Sequence, residues 1–197
     1  MNVIGLTGGI GMGKSTSAQL LRSRGIPVVD TDDLARQIVE PGQPALAEVV
    51  AAFGPQIAGP DGRLRRDEMA RRVFADTAAR QRLERILHPR IRERWRAQVE
   101  TWRAESRPLA VVVIPLLFET KAEAELDVTL CVACSAATQQ ERLLARGWPP
   151  EQIQQRLQAQ WPSGQKMAVS DYLIWTEAGL DVHAAQIDRI LGLLASD

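Results

Sequence analysis

A glycine-rich stretch near the start of the chain carries the residues with the clearest chemistry. The segment GGIGMGKST at residues 8–16 matches the pattern GxxxxGK[ST]. Its glycines let successive backbone N–H groups turn towards one phosphate, and a following helix offers unpaired N–H groups and a positive dipole end. Lys14 can neutralise charge on the β- and γ-phosphates, and the Ser15 hydroxyl can ligate Mg²⁺. The motif predicts a nucleoside triphosphate site and leaves the phosphate acceptor open.

Short apolar runs indicate the elements that position this motif. Helix-forming stretches separate the runs, which is typical of βαβ units and of a parallel sheet flanked by helices. The first run ends at the glycine-rich segment, and a helix is expected directly after it, as a phosphate loop requires. We expect strands at 2–6, 26–30, 109–114, 128–134 and 172–175. We expect helices at 14–24, 136–146 and 150–160, and a final amphipathic helix that carries Ile187, Ile190, Leu191 and Leu194.

A long helical segment interrupts the alternation of strands and helices. Seventy-eight residues separate Asp30 from Leu109, many more than one crossover helix requires, and none of them indicates a strand. Apolar residues recur there at spacings of three or four, a helical stripe that we expect to be interrupted at Pro89. These residues are Leu83, Ile86, Leu87, Ile91, Trp95, Val99 and Trp102. We predict a helical insertion after the second strand, with turns at the Pro- and Gly-rich residues 41–62.

The composition narrows the class of protein. Lys plus Arg and Asp plus Glu each number 24 among 197 residues, so the neutral chain is not expected to bind nucleic acids or anionic membranes. No apolar run is long enough to span a membrane and the start lacks the features of a signal peptide, so we expect a cytoplasmic protein. Cys131 and Cys134 exclude a disulfide scaffold, and their positions in an expected strand predict ordinary buried cysteines.

Among nucleotide-binding proteins, the residues favour a small kinase. A guanine-reading Asn-Lys-x-Asp motif is absent, because Asn2 is the only asparagine. The most apolar run ends in Pro115, where motor-type ATPases carry a carboxylate. Asp30 and Asp32 follow the second strand, at the edge of the sheet where ligands bind, and a carboxylate there can accept a hydroxyl proton. Equally, Thr31, Asp32 or Asp33 would serve only to cap a helix at 34–39.

Several further side chains allow two interpretations. Arg142 and Arg146 share one helix face, and Arg156 shares another with Gln160, so these arginines either hold phosphates or line a solvated surface. His88 within the helical segment is more typical of a structural histidine than of a ligand-binding one. The tryptophans of the apolar stripe are expected in the core.

Several short motifs, taken in order, resemble the dephospho-coenzyme A kinase family. The match runs from residue 3 to about residue 179 and depends on joint order and spacing. The motifs are IGLTGGIGMGKST at 4–16, Val-Asp-Thr-Asp at 29–32 followed by Ala35-Arg36, Glu-Pro-Gly at 40–42, Asp-Gly-x-Leu-x-Arg at 61–66, Leu-His-Pro at 87–89, and Pro-Leu-Leu-Phe-Glu at 115–119.

The resemblance implies a fold and an activity. The fold would be that of a P-loop kinase with a five-stranded parallel sheet, a helical acceptor-binding insertion and a mobile lid. The activity would be transfer of the ATP γ-phosphate to the ribose 3′-hydroxyl of dephospho-coenzyme A, the last step of coenzyme A biosynthesis, with Mg²⁺. The single domain would have its core at about 1–31, 106–138 and 167–197, its coenzyme A-binding insertion at about 32–105 and its lid at about 139–166.

The resemblance also implies roles for individual residues. Asp32 matches the proposed general base, with Lys14 and Arg142 as the other catalytic residues and Ser15 as the Mg²⁺ ligand. The expected ATP-binding residues are Gly8, Gly11, Met12, Gly13, Lys14, Ser15, Thr16, Arg142 and Arg146. The expected acceptor-binding residues are Thr7, Asp30, Arg36, His88 and Glu119.

Three departures from the family pattern limit this transfer of roles. Met12 occupies a loop position that is often small, Thr176 stands where asparagine is common, and residues 161–165 are atypical of the lid. The alternative functions are a nucleoside or nucleoside monophosphate kinase and a P-loop module that binds ATP without transferring phosphate.

Overall fold

Five strands form one parallel sheet in the computed structural model, which describes residues 1–195. The strands are β1 (Asn2–Gly8), β2 (Val28–Asp30), β3 (Leu109–Val113), β4 (Val128–Ala133) and β5 (Tyr172–Trp175). Their order in the sheet is β2-β3-β1-β4-β5. The predicted α/β class and five-stranded parallel sheet are therefore confirmed. Residues 196 and 197, the end of the expected core, lie outside the described residues.

Nine α-helices accompany these strands in the described part of the chain. They are α1 (Lys14–Arg22), α2 (Thr31–Gln37), α3 (Pro44–Phe53), α4 (Arg66–Ala75), α5 (Thr77–Ala104), α6 (Ala136–Ala145), α7 (Pro150–Gln158), α8 (Ser163–Val169) and α9 (Leu180–Leu194). Within residues 1–195, none of the helices combines the length and the apolar character that a membrane crossing requires.

The chain divides into two compact units, which we call the sheet unit and the helical unit. The sheet unit comprises Met1–Val29 and the chain from Trp102 onward, and the helical unit comprises Asp30–Thr101. The helical unit has its own apolar clusters, which explain why α3, α4 and α5 pack together. One cluster contains Ile38, Val39, Ala45 and Leu46, and the other contains Val49, Ile57 and Met69.

The centre of the sheet unit is β1, which lies between β3 and β4. Ile4 and Leu6 are fully buried and belong to the same apolar cluster as Leu21 of α1 and Ile187 of α9. Burial of this kind contributes about 25 cal/mol per Å² of apolar surface. Because β1 is held on both sides, the end of the strand is a fixed platform for the loop that follows it.

β1 extends two residues further than the apolar run predicted. Thr7 and Gly8 continue the parallel ladder opposite Cys131 and Val132. The sequence pattern missed this extension because threonine and glycine are not apolar, whereas backbone pairing decides where a strand ends.

The predicted interruption at Pro89 is wrong, because α5 runs without a break from Thr77 to Ala104. A proline inside a helix has no N–H and disturbs the carbonyls of the preceding turn. Pro89 therefore leaves the Arg85 carbonyl without its helical donor, whereas the Ile86 carbonyl one residue further on accepts from the Arg90 guanidinium at 2.9 Å. The apolar stripe on either side keeps the helix continuous, with Trp95 and Val99 buried.

The prediction of turns throughout residues 41–62 is also wrong, because α3 occupies Pro44–Phe53. Pro44 is the first residue of this helix, where its fixed φ is favourable and its missing N–H costs nothing. Ala45, Leu46 and Val49 then form the buried face.

Cys131 and Cys134 are free and buried, as predicted. Burial raises the pKa of the Cys131 thiol to about 11, against the opposing charge of Lys166. This thiol stays protonated at neutral pH and is a packing residue.

A hydrogen-bonded aspartate at the start of β5 makes the stability of the sheet unit depend on pH. Asp171 Oδ2 accepts the Thr129 N–H at 2.8 Å and the Thr129 hydroxyl at 2.7 Å. These bonds lower the pKa of Asp171 below its ordinary value of 3.8, and the bond from the Thr129 hydroxyl contributes most. A carboxyl group whose pKa is lower in the folded chain than in the unfolded chain stabilises the fold at pH values above its unfolded-state pKa. This contribution is lost as the pH falls through the folded-state pKa.

We therefore expect Asp171→Asn to lower the free energy of unfolding by about 1 kcal/mol at pH 7, because Asp171 is exposed and solvent screens the bonds. At pH 3 the difference between the variant and the unaltered chain should shrink. Urea unfolding at both pH values measures this change. A difference that is equal at pH 7 and pH 3 would contradict the argument.

Candidate active site

The loop between β1 and α1 has the backbone that a phosphate cradle requires. Gly8, Gly11 and Gly13 have φ values of 144°, 76° and 100°, in the region that favours glycine. A Cβ atom on Gly8 would lie 2.2 Å from the Val132 carbonyl oxygen, so the end of β1, where the loop begins, is too close to β4 for a side chain. The glycines of the motif are therefore required by backbone geometry.

We expect Gly8→Ala to lower the free energy of unfolding by about 2 kcal/mol or more, because it combines a strained φ with a clash against backbone. Gly25→Ala is the matched control. Gly25 has a φ of 75°, but a Cβ atom there meets nothing within 4 Å, so only about 1 kcal/mol of strain is expected. Urea unfolding midpoints compare the two variants. Equal losses would show that the contact with β4 is unimportant.

Lys14 and Ser15 begin α1 directly after the loop. Lys14 Nζ donates to the Gly8 carbonyl at 2.7 Å and to the Gly9 carbonyl at 3.0 Å, so the ammonium group lies across the loop. Ser15 is exposed in the first turn, and no side chain caps this helix at Gly13. The positive end of α1 and the lysine therefore favour an anion at the same place.

Side chains outside the loop also bond to its backbone, and one of them is Gln160, whose Oε1 accepts the Ile10 N–H at 3.3 Å. Gln139 Nε2 donates to the Ile10 carbonyl at 2.7 Å, and Thr176 Oγ1 donates to the Met12 carbonyl at 3.0 Å. Ser17 Oγ donates to the Gly13 carbonyl at 3.3 Å. The sequence analysis missed the contacts of Gln139, Gln160 and Thr176, because they join residues 129 to 164 positions apart and no local pattern indicates them.

Ser17 is itself paired with a buried histidine. The distance from Ser17 Oγ to His183 Nε2 is 2.8 Å. Burial lowers the pKa of His183, and the nearby charge of Arg142 lowers it further. At neutral pH the imidazole is uncharged and forms a neutral hydrogen bond behind the first turn of α1.

The two arginines of α6 have different surroundings. Arg142 Nη1 donates to Thr176 Oγ1 at 2.9 Å and Nη2 donates to the Thr176 carbonyl. Arg146 follows the last residue of α6 and is exposed. Arg156 stacks over the Trp148 ring at 4.3 Å, which is a cation–π contact within the expected lid. The structure places Arg142 beside Thr176, a residue that contacts the loop.

Thr7 and Glu119 are held by partners within the sheet unit. Thr7 is fully buried and its hydroxyl donates to the Pro115 carbonyl at 3.3 Å. Glu119 Oε1 accepts from Lys166 Nζ at 2.8 Å and from the Trp161 N–H at 2.8 Å. Lys166 is fully buried and also donates to the Pro115 carbonyl at 2.6 Å. The sequence analysis did not single out Lys166.

The helical unit begins with the predicted acidic residues. Asp30 Oδ1 accepts the Asp32 N–H at 2.9 Å and is the N-cap of α2. The interpretation that Thr31, Asp32 or Asp33 caps this helix is therefore wrong, because the helix begins three residues earlier than expected. Asp32 lies exposed in the first turn, and exposed Arg36 pairs with Asp33 at 3.4 Å.

His88 lies half-buried in α5, beside an open groove of about 410 Å³. Burial lowers the pKa of His88, against the opposing charge of Glu84. The groove is lined by Gln81, Glu84, Arg85, His88 and Pro89. An uncharged imidazole at neutral pH can accept or donate a hydrogen bond to a polar ligand.

The donor atoms at the loop fit a magnesium ion that enters with a nucleotide. Residues 1–195 contain no group of three His, Cys, Asp or Glu side chains that could hold a metal ion. Mg²⁺ commonly binds through one or two protein oxygens together with phosphate oxygens and water. An exposed hydroxyl at the start of α1, that of Ser15, matches such a donor set.

The sheet order, with a phosphate loop after the central strand β1, assigns the chain to the class of P-loop kinases. The family model of dephospho-CoA kinase (CoaE) matches residues 2–181, and the chain belongs to this family. The resemblance found in the short motifs is thereby confirmed. Membership makes the protein a kinase that acts on small molecules with ATP as co-substrate.

Several known proteins are similar to this chain in sequence or structure over nearly its whole length. A dephospho-CoA kinase of Anaeromyxobacter dehalogenans is 46% identical, covering 97% of this chain and 91% of its own length. The crystal structure of TT1252 from Thermus thermophilus is similar with a TM-score of 0.82 and 36% identity, covering 98% of this chain and 97% of its own. Dephospho-CoA kinase from Campylobacter jejuni, at 22% identity, shares the fold with a TM-score of 0.72 and covers 99% of this chain and 98% of its own.

Proposed function

We propose that the protein transfers the γ-phosphate of ATP to the ribose 3′-hydroxyl of dephospho-coenzyme A and releases coenzyme A and ADP. The observation that carries this proposal is the phosphate loop, with Lys14 across it, in a chain that belongs to the dephospho-CoA kinase family. The reaction completes coenzyme A biosynthesis. Neither a nucleoside monophosphate kinase nor a non-catalytic ATP-binding module is favoured by a feature of the site.

The ATP phosphates are assigned to the loop and the start of α1. Backbone N–H groups of the loop residues and the positive end of α1 would bind the β-phosphate. Lys14 would neutralise the β- and γ-phosphates, and Arg142 would offset charge on the transferred group, with Arg146 as a further contact. The remaining proposed contacts are Gly8, Gly11, Met12, Gly13, Ser15 and Thr16.

Mg²⁺ is assigned to Ser15. Bound there with the nucleotide, the ion would offset charge on the β- and γ-phosphates. The protein would contribute one hydroxyl and leave the other positions to phosphate and water.

The acceptor is assigned mainly to the proposed insertion at about 32–105, and the helical unit Asp30–Thr101 supports this assignment. Asp32 would accept the proton of the acceptor hydroxyl, and Asp30, Arg36 and His88 would bind the acceptor. Thr7 and Glu119 are two further proposed acceptor-binding residues. Support for Glu119 is its Oε2 atom, which is buried and has no hydrogen-bond partner among the described residues, so a ligand donor would satisfy it.

The expected lid at about 139–166 comprises most of α6, all of α7 and the start of α8. Closure of such a segment would exclude water and limit hydrolysis of ATP. A cytoplasmic location and the absence of a nucleic-acid partner remain predictions from the composition.

The test measures ADP formation from ATP and Mg²⁺ with and without dephospho-coenzyme A. Mass spectrometry and phosphorus NMR identify the product. We expect ADP only with this acceptor, and a new ribose 3′-phosphate. Lys14→Met, which keeps the length of the side chain without its charge, is the matched inactive control. ADP formation with adenosine or AMP but not with dephospho-coenzyme A would support a different kinase, and ATP binding without transfer to any acceptor would support a binding module.

A further inference from the structure

The phosphate loop is held from outside by Gln139, which lies in none of the family motifs, and by Thr176, which stands where the family commonly has asparagine. The Ile10 carbonyl accepts from Gln139 and the Met12 carbonyl accepts from Thr176. Gln139 is 6% exposed and Thr176 is 3% exposed, so both polar groups are withdrawn from water and satisfied on the loop. These contacts come from α6 and from the end of β5, two elements far from the loop in sequence.

Bonds to these carbonyls fix the direction of the neighbouring N–H groups. All described peptide bonds are trans, and in a trans peptide the C=O of one residue and the N–H of the next point in opposite directions. A bond from the surrounding protein to the Ile10 carbonyl therefore turns the Gly11 N–H away from that protein. The bond to the Met12 carbonyl does the same for the Gly13 N–H. A phosphate cradle requires N–H groups directed in this way before the ligand arrives.

We propose that Thr176 and Gln139 are positioning residues of the phosphate loop. They preorganise the Gly13 and Gly11 N–H groups for the β- and γ-phosphates of ATP without contacting the nucleotide themselves. The proposal depends on the proposed function, because it takes ATP as the ligand of the loop. Preorganisation increases affinity because the loop does not have to be ordered when the ligand binds.

The surroundings of Thr176 favour this role. The Thr176 N–H donates to the Ala133 carbonyl at 2.8 Å, so its backbone is fixed to the end of β4. Arg142 donates to the Thr176 hydroxyl oxygen, which leaves the hydroxyl hydrogen to bind the Met12 carbonyl. A charged donor at the start of such a chain strengthens the next bond. A Cβ atom on Gly13 would meet Thr176 Cγ2 at 3.2 Å, so the threonine also packs against the loop.

The experiment compares Thr176→Val with Thr176→Ser. Valine keeps the shape and removes the hydroxyl, whereas serine keeps the hydroxyl. We expect Thr176→Val to weaken binding of ATP with Mg²⁺, and of tripolyphosphate with Mg²⁺, by about fivefold to tenfold, as one lost hydrogen bond predicts. KM for ATP should rise by the same factor, while kcat changes less than about twofold. The reason is that the loop would stabilise the bound ATP and the transition state equally, so its loss weakens both by the same amount. Thr176→Ser should restore affinity to within about twofold of the unaltered chain.

Two further variants separate positioning from general stability. Thr129 lies in β4, and its buried hydroxyl bonds to Asp171. Thr129→Val removes this hydroxyl and should lower the urea midpoint without changing the affinity for ATP. Gln139→Met tests the second contact independently, with an expected loss of affinity of about fivefold. The inference is overturned if Thr176→Val and Gln139→Met bind ATP as the unaltered chain does, or if Thr129→Val weakens binding equally. Failure of the unaltered chain to bind ATP would instead overturn the proposed function.

Discussion

Replacing Asp32 with asparagine is expected to lower kcat by about 10²- to 10⁴-fold, the usual contribution of a general base, while the Kd for ATP changes less than about twofold. Asparagine has nearly the same shape but cannot accept the proton of the acceptor hydroxyl. Asp32 is available for this role because Asp30 caps α2 in its place, which leaves the Asp32 carboxylate exposed in the first helical turn. Steady-state rates with saturating acceptor measure the effect.

The neighbouring carboxylate provides the matched control. Asp33 lies in the same turn of α2, is also exposed, and pairs with Arg36. Asp33→Asn removes the same charge from the same helix end, but Asp33 has no proposed part in proton transfer. We therefore expect kcat within about threefold of the unaltered chain. If Asp32→Asn retains kcat within that range as well, Asp32 has no part in proton transfer.

Features that depend on local chemistry were predictable from the sequence. The phosphate loop follows from the spacing of Gly8, Gly13 and Lys14, and the strands follow from short apolar runs that a parallel sheet buries on both faces. The alternation of strands and helices gave the fold class, which is confirmed. The errors at strand and helix ends, such as the extension of β1 to Gly8, arise where backbone pairing continues beyond the apolar residues.

Features that depend on distant contacts were not predictable. Thr176 was visible only as a departure from a family pattern, and nothing in its neighbourhood indicates that its hydroxyl meets the Met12 carbonyl. Pro89 illustrates the same limit, because a local rule predicted a break where α5 continues and buries Trp95 and Val99 on its apolar stripe. Such outcomes depend on packing that a single sequence does not show.

Lys166 is the clearest case of a residue whose environment reverses its usual behaviour. A lysine in a short polar helix is expected in water, but its side chain is fully buried and bonded to Glu119 and the Pro115 carbonyl. Burying two charges costs several kcal/mol, which close pairing and further hydrogen bonds must offset. The pair joins α8 to the segment after β3 and fixes the carboxylate of Glu119, a predicted acceptor-binding residue.

Replacing Arg142 with alanine is expected to lower kcat by about 10³-fold, because an arginine that offsets charge on the transferred phosphoryl group contributes at least this much in related chemistry. A guanidinium carries five N–H donors in a planar fork, and Thr176 receives one bond from each of its two terminal nitrogens. The fork therefore retains donors for a phosphate while it stays anchored beside the loop. Arg142→Lys keeps the charge without the fork, and an intermediate loss is expected.

The comparison with Thr176→Val distinguishes the two roles of this arginine. If Arg142 acts on the transferred phosphate, Arg142→Ala must lower kcat far more than Thr176→Val, whose expected effect lies in ATP affinity. If Arg142 serves only to hold Thr176, the two variants should show the same small changes in kcat and KM, and a catalytic role for the arginine would be excluded. Arg189→Ala, which removes an exposed charge from α9, controls for the change in net charge. Single-turnover measurements of phosphate transfer in all three variants decide between these outcomes, because they separate the chemical step from nucleotide binding and product release.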